Sequence, residues 1–470
     1  MYTYFKIFNS IKDYHEVELA RLELESLVGP VVPVRNAADL LKKHPFSEFT
    51  DAVQVSKRGD ESDSVRFQDY LTHESAYGRV QGFESTQVRP DDIPRLVRRL
   101  GYTREIYVVD EADSWKSLLR RIFPQGALGK NCHAFQVGHT ALIRIITNQY
   151  FLENSEHITR VTQSLPRERM REFVDSMFDN LIRHTYRIPA SERARVGKRL
   201  LDYFAERGEC SLYLSHGMHP YKGKFHPKMA RALINLVWPR DEGIVMDNFA
   251  GSGTLLVEAS LMGLDSCGSE INPMSVLMAN AKCALLRVDP ASLDEAASAF
   301  VSALQRELKV LKTLSQGQDT LDTPAYPLDQ SIIDGIRETA PDVYDEFSTN
   351  DVLSEMVVAR LIVERIFKGD IQNIMRLALA MCISNLKGKK TKNFAEEVVR
   401  VVEDICRRAL LFNQINSTLG IRVGHGRVYE VDASDLKPIS DIHEIRGNVN
   451  SPPYSTALDY IANDLAQLVI

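Results

Sequence analysis

The sequence predicts an α/β fold: a parallel sheet with crossover helices, interrupted by a helical insertion and preceded by an α+β region. Three observations predict it. Two strand–loop–helix units stand in tandem, GIVMDNFAGSGTLLVEASLMG (243–263) and DSCGSEINPMSVLMANAKCALL (265–286). Such units mean parallel strands joined by crossover helices. A strand followed by an acid returns at GHGRVYEVDASDL (424–436), and a further strand runs into GNVNSPPY (447–454). Between these pairs, residues 291–415 break the rhythm with helix-rich sequence and a polar, irregular interval near 315–350.

A chain of 470 residues exceeds one ordinary core. We divide it into an N-terminal α+β domain (1–115), a helical linker region (116–210), a domain carrying the strand–loop–helix units (211–290 with 416–470) and the helical insertion (291–415). YTYFKIF is short, aromatic and partly alternating, as a strand is. YHEVELARLELESLVG has apolar residues at helical spacing and Gly29 as C-cap. DDIPRLVRRLGYTREIYVVDE reads as a capped helix, a glycine stop and a strand, and SKRGDESDS as a polar loop. RERMREFVDSMFDNLIRHTYR is amphipathic, and 116–210 reads as mostly helical. HPYKGKFHPKMARALINLV is a basic loop running into a helix.

Composition narrows the function. A chain 44% hydrophobic and 26% charged is that of a soluble globular protein, and no apolar run is long enough to span a membrane. MYTYFKIFNSIKDYHEVELA lacks the basic-then-apolar pattern of a signal peptide. Six scattered cysteines with no CxxC pair argue against a disulfide framework and a zinc site, and no metal is expected; a reducing cytoplasm fits. A net charge of −6 offers no global attraction to nucleic acid, so such binding needs a local basic patch.

The glycines of DNFAGSGT (247–254) let a backbone approach a ligand closely, and the next helix aims its free N–H groups there. Nineteen residues past Gly251, Glu270 stands at the tip of the next strand, where a carboxylate accepts both hydroxyls of a ribose. Alone, a GxG is a turn; strand before, helix after and the acid at this distance make it a site. It is neither GxGxxG nor GxxxxGK[ST], so neither a dinucleotide nor a triphosphate is favoured. Asp247 beside the glycines repels phosphate and suits a cationic ligand with a free amino group.

DNFAGSGTLLVEA resembles the cofactor motif of S-adenosylmethionine-dependent amino-methyltransferases, in the form Asp-x-Phe-x-Gly-x-Gly. GSEINPMSVLMANAK is similar to their second motif and VDASDL to their third. The resemblance implies a Rossmann-like sheet and S-adenosylmethionine as cofactor. Phe249 would pack against it, Glu270 hold its ribose and Asp432 lie near its adenine. Asp247, Gly251, Gly253, Thr254 and Asn272 would complete the site, with Lys224 and Phe225 at the methionine end.

NSPPY (450–454) matches the [Asp/Asn/Ser]-Pro-Pro-[Tyr/Phe] motif of the same families. An exocyclic amine is a poor nucleophile because its lone pair is delocalised into the ring. Ser451 and the Pro452 carbonyl would accept its two hydrogens and aim the lone pair at the methyl group. Pro452 and Pro453 fix the backbone, and Tyr454 offers a flat face for an unstacked base. SPPYSTALDYI is most similar to DNA amino-methyltransferases acting on cytosine N4 or adenine N6, and Ser before Pro-Pro leans to cytosine.

The front half leans elsewhere: ELARLELESLVG and LVRRLGYTREIY resemble segments of tRNA guanine-N2 methyltransferases. DNA is the leading partner and tRNA the second; a non-catalytic nucleic-acid-binding subunit is a third reading. The basic turn KGKKTK (387–392) is the best phosphate-tracking candidate. The catalytic domain of the resembled families continues for three more strands beyond Pro-Pro-Tyr. The sheet is therefore expected to be incomplete, through truncation, a second polypeptide that completes the fold, or cover supplied by 291–415.

Overall fold

The structure, a computed structural model, describes residues 1–8, 11, 14–53, 66–71, 80–124, 131–162, 166–170, 172, 174, 175, 211–221, 223–315, 324–326, 330–348, 352–389, 393–441 and 444–452. It is a mixed α/β protein built on two sheets. The first has strands β1 (Tyr2–Ile7), β2 (Val32–Val34), β3 (Gly82–Ser85), β4 (Thr103–Glu111), β5 (Cys132–Val137) and β6 (Thr140–Ile146). Their order is β2-β3-β1-β4-β6-β5, every pair antiparallel. Alternation along the strands divides the side chains between two faces. Tyr4, Tyr107 and Val109 join Phe46, Phe49, Phe67 and Phe135 on one side. Phe5, Ile7, Ile106 and Val108 face helices α1 (Tyr14–Val28), α2 (Ile93–Arg99), α3 (Trp115–Ile122) and α4 (Asn148–Thr162) on the other.

The expectation of a mostly helical stretch over 116–210 fails at 132–146, which is the hairpin β5–β6. ALIRII satisfies a helical face and a buried strand alike, and periodicity alone does not separate them. The chain reverses at the two-residue connection Gly138–His139, with Gly138 at φ +55°, and pairing of β6 with β4 settles the strand. Most of RERMREFVDSMFDNLIRHTYR lies outside the described residues.

The second sheet is parallel throughout. Its strands are β7 (Ile244–Asp247), β8 (Asp265–Glu270), β9 (Gly426–Glu430) and β10 (Ile445–Asn448), in the order β10-β7-β8-β9. Helix α5 (Pro227–Val237) precedes β7, α6 (Thr254–Leu261) follows it, and α7 (Pro273–Leu285) follows β8. From β7 the chain steps outward to β8 and β9, then returns to the far side of β7 with β10. Parallel α/β sheets bind ligands where the strand order reverses, beyond the carboxyl ends. Here that crevice lies between β7 and β10.

The insertion between β8 and β9 comprises α8 (Pro290–Ser315), α9 (Gln330–Thr339), α10 (Pro341–Phe347), α11 (Val352–Ile366), α12 (Gly369–Leu386) and α13 (Phe394–Leu419). The interval read as irregular near 315–350 thus holds two short helices. These helices share one apolar core with α7. The insertion is therefore seated on the helix flanking β8, while α5 contacts β10.

Helix α5 joins the two sheets through buried polar side chains. Lys228 and Arg231 are buried. Lys228 Nζ lies 3.2 Å from Glu153 of α4, and Arg231 Nε donates to Glu258 of α6 at 2.8 Å. Asn235 donates to Glu23 of α1 at 2.9 Å and accepts from Arg99 of α2 at 2.8 Å. Glu258 also accepts from Tyr213 Oη at 2.6 Å and His216 Nε2 at 2.7 Å. Since the carboxylate only accepts, His216 donates from Nε2, and in its neutral form it is the Nε2–H tautomer. Gly101 of the predicted glycine stop has no positive φ; a Cβ there would meet the Lys228 carbonyl at 3.0 Å.

Burial alone would raise the Glu258 carboxyl, but Arg231 and the His216 and Tyr213 hydrogen bonds outweigh it and hold it low. Burial, with the Lys224 charge, pushes His216 from 6.5 down to about 4. Both groups bind fewer protons folded than unfolded: the His216 contribution is complete above pH 6.5 and is lost as pH falls through about 4, and the Glu258 contribution is complete above about 4.5 and is lost as pH falls through about 2. Denaturant unfolding across this range should show that decline, and His216→Gln should flatten its upper part. Glu258→Gln strands the Arg231 charge and should cost about 3–5 kcal/mol at neutral pH.

Candidate active site

Strand β7 ends at Asp247, and the chain turns through Asn248–Gly253 into α6. Asp247 Oδ1 accepts the Phe249 N–H at 3.0 Å, closing the turn on itself. Glu270, at the tip of β8, takes the Gly251 N–H on Oε2 at 2.8 Å. Its Oε1 takes the Ile271 and Asn272 N–H groups at 2.9 and 3.0 Å. One carboxylate thus braces both the glycine loop and the start of α7, and still has lone pairs to offer a ligand.

The glycines serve packing as much as approach. Gly251 has φ +48° and faces the Tyr221 hydroxyl, which a Cβ would meet at 3.1 Å. Gly253 has φ +79°, and a Cβ there would sit 2.6 Å from that of Ala279 on α7. Any side chain at Gly253 would push α6 off α7.

These elements enclose a cavity of about 540 Å³. Of the residues singled out from the sequence, Lys224, Phe225, Asp247, Phe249, Gly251, Thr254, Glu270, Asn272, Asp432 and Ser451 line it. Gly253 and Pro452 do not, and Pro453 and Tyr454 lie outside the described residues. Ser451 arrives from the far end of the chain because β10 pairs with β7: Asn448 stands opposite Met246, and Val449 donates to the Met246 carbonyl at 2.9 Å.

Two members have local duties as well. The Lys224 ammonium donates to the His216 and Ser211 carbonyls at 2.9 and 3.2 Å, pinning the segment before α5. Asn272 caps α7, accepting from Met274 N at 2.9 Å. Sequence reading missed Tyr221, Asn248 and Ile271, all in the wall. Ile271 is 65% exposed, an apolar side chain placed directly after the acidic tip. Its position beside Glu270 was the available signal. Lys282 was also missed. It is buried in α7 and donates to the Ser252 carbonyl at 3.2 Å, holding the loop from beneath.

The electrostatics favour a cationic, hydroxyl-bearing ligand. Burial raises Asp247 to about 7, with Glu270 adding to the rise against the Phe249 N–H. The Asn248 Oδ1 is buried with no partner among the described residues. A ligand amino group would relieve both. Burial and the Lys224 charge bring Lys282 down to about 7. Among the described residues no group of three or more His, Cys, Asp or Glu side chains could hold a metal ion. Among them, too, no helix is long and apolar enough to cross a membrane.

Residues 218–310 match the family model of an RMKL-like methyltransferase domain. The type II methyltransferase M.MjaII of Methanocaldococcus jannaschii is 42% identical over 67 residues, 14% of this chain and 12% of that protein. The type II methyltransferase M.MvaI of Kocuria varians is 35% identical over 100 residues, 21% of each chain. A tRNA (guanine(10)-N2)-dimethyltransferase of Methanothermobacter thermautotrophicus is 38% identical over 52 residues, 11% of this chain and 16% of that protein. The chain thus spans 12–21% of the length of these relatives.

Glu270→Ala deletes the acceptor of three backbone N–H groups. It should lower the stability of the ligand-free protein by about 1–3 kcal/mol, read by denaturant unfolding. A residue serving only a ligand would leave that value unchanged.

Proposed function

We propose that this chain is an S-adenosylmethionine-dependent methyltransferase acting on an exocyclic amine of a base in nucleic acid. The base we propose is cytosine in DNA, with N4 as acceptor. Methyltransferases of the matched family use S-adenosylmethionine. The observation that carries the reading is the pairing of β10 on β7, which puts Ser451 in the same cavity as Asp247, Glu270 and Asp432.

The cavity residues fit this donor. Asp247 and the unpartnered Asn248 oxygen suit its amino group, the remaining lone pairs of Glu270 its ribose hydroxyls, and Ile271 and Asp432 its adenine. When bound, the donor supplies an electrophilic methyl group on a sulfonium centre. Ser451 is exposed and lines the cavity, so a base can reach it. Its hydroxyl and the Pro452 carbonyl accept the two amine hydrogens and turn the nitrogen lone pair towards the cavity. Tyr454 then gives the extruded base a stacking face. One N–C bond forms, the S–C bond breaks with its electrons left on sulfur, and the amine proton leaves to water.

Methylation of guanine N2 in tRNA is the second reading, favoured by the tRNA-modifying relative. Tritiated S-adenosylmethionine offered with DNA and with tRNA separates the two, and label in cytosine of DNA is the expected result. Label in tRNA alone transfers the reading to the second, and donor binding with no transfer to either overturns both. Ser451→Ala should reduce kcat by about tenfold or more and leave donor affinity nearly unchanged.

Donor affinity should also follow the ionisation of Asp247. Its carboxyl loses the proton near pH 7, so calorimetric affinity should rise as pH increases towards 7 and level off above it. Asp247→Asn should bind weakly with no such slope. An equal slope in the variant would assign the titration elsewhere.

A further inference from the structure

A second cavity, of about 440 Å³, lies back to back with the first. Two short segments separate them. Asn272 lines the donor cavity and Pro273 and Met274 the other; Val431 and Asp432 line the donor cavity and Glu430 the other. The far wall belongs to the insertion, through α11, α12 and the first residue of α13. This cavity therefore exists only because the insertion is seated on α7.

Its chemistry is that of a base-binding pocket. Met274, Leu277, Met356 and Phe394 supply apolar, polarisable walls. Asn373 lines the cavity, is half-buried and has no hydrogen-bond partner among the described residues, so its carboxamide offers both a donor and an acceptor. Arg376 lies beside it, held by Glu364 through two hydrogen bonds of 2.7 and 2.6 Å. At the opposite end Ile383 and Phe394 bracket the turn that carries exposed Lys387 and Lys389. A slot with apolar walls, a carboxamide, two arginines (Arg360 and Arg376) and two carboxylates (Glu364 and Glu430) in its lining, and lysines at one end, can take one nucleotide with its base inserted and its phosphate outside.

We propose that this second cavity receives an unstacked base of the nucleic-acid strand, a neighbour of the base being methylated, and that Lys387 and Lys389 track the phosphates leading to it. The proposal rests on the reading of the chain as a nucleic-acid methyltransferase. It gives the insertion a role in holding the strand, separate from donor binding.

The test measures binding of short fluorescent single-stranded DNA and RNA oligonucleotides to the full chain in the presence of S-adenosylmethionine. Leu277→Trp fills the slot from its half-buried wall, and Asn373→Ala removes the carboxamide. Each should weaken strand binding, Leu277→Trp by about tenfold, while donor affinity stays within about twofold. Photo-crosslinks from a 5-iodouracil strand should map to peptides covering 273–280 or 352–360. If Leu277→Trp does not fold, Asn373→Ala and the crosslinks decide. Wild-type strand affinity in the folded variants, with no crosslink to those peptides, overturns the proposal while methyl transfer by the wild type leaves the enzyme reading standing. A wild-type chain that neither binds a strand nor transfers a methyl group overturns both.

Discussion

The hydrogen bond from Val449 to the Met246 carbonyl belongs to the ladder that sets β10 beside β7. All else at the site depends on that placement. Parallel neighbours point their carboxyl ends the same way, so the residues after β7 and those after β10 must emerge together. Gly447 lies close against α5, where a Cβ would meet Val237 at 2.8 Å. The last strand is thus tied to the helix that precedes the first.

That helix also explains how the front half is joined to the parallel sheet. Lys228, Arg231 and Asn235 project from α5 into a buried polar seam with Glu153, Glu258, Glu23 and Arg99. Buried charges are costly to desolvate, and their contribution to net stability is small unless every partner is present. Each of these contacts holds α5 to a particular residue of a neighbouring helix.

The insertion reaches the donor cavity by a second route. His219 Nδ1 lies 2.8 Å from the Pro220 carbonyl, so in the neutral ring that nitrogen donates. Nε2 then accepts from Ser384 of α12 at 3.0 Å. Tyr221, two residues on, walls the cavity and faces Gly251. The segment carrying Tyr221 is therefore positioned partly by a helix that contributes nothing directly to the donor cavity.

Local sequence by itself determined the two tandem units, the strand-then-acid returns, and the residue types around the glycine loop. These follow from periodicity, glycine and capping, which act over a few residues. It also marked most of the cavity wall, because Asp247, Glu270 and Asp432 all stand at strand tips. Other features were decided by tertiary structure alone. The hairpin at 132–146 needed a neighbouring strand, β4, to settle an ambiguous apolar run. No local pattern marks Lys228 and Arg231 as buried; α1, α4 and α6 close over them, and burial is a property of what packs against a residue. Gly253 reads as a ligand contact until α7 lies against it. The meeting of Ser451 with Asp247 is the clearest case: strand order is fixed by pairing between segments far apart in the chain, and no local pattern records which strands become neighbours.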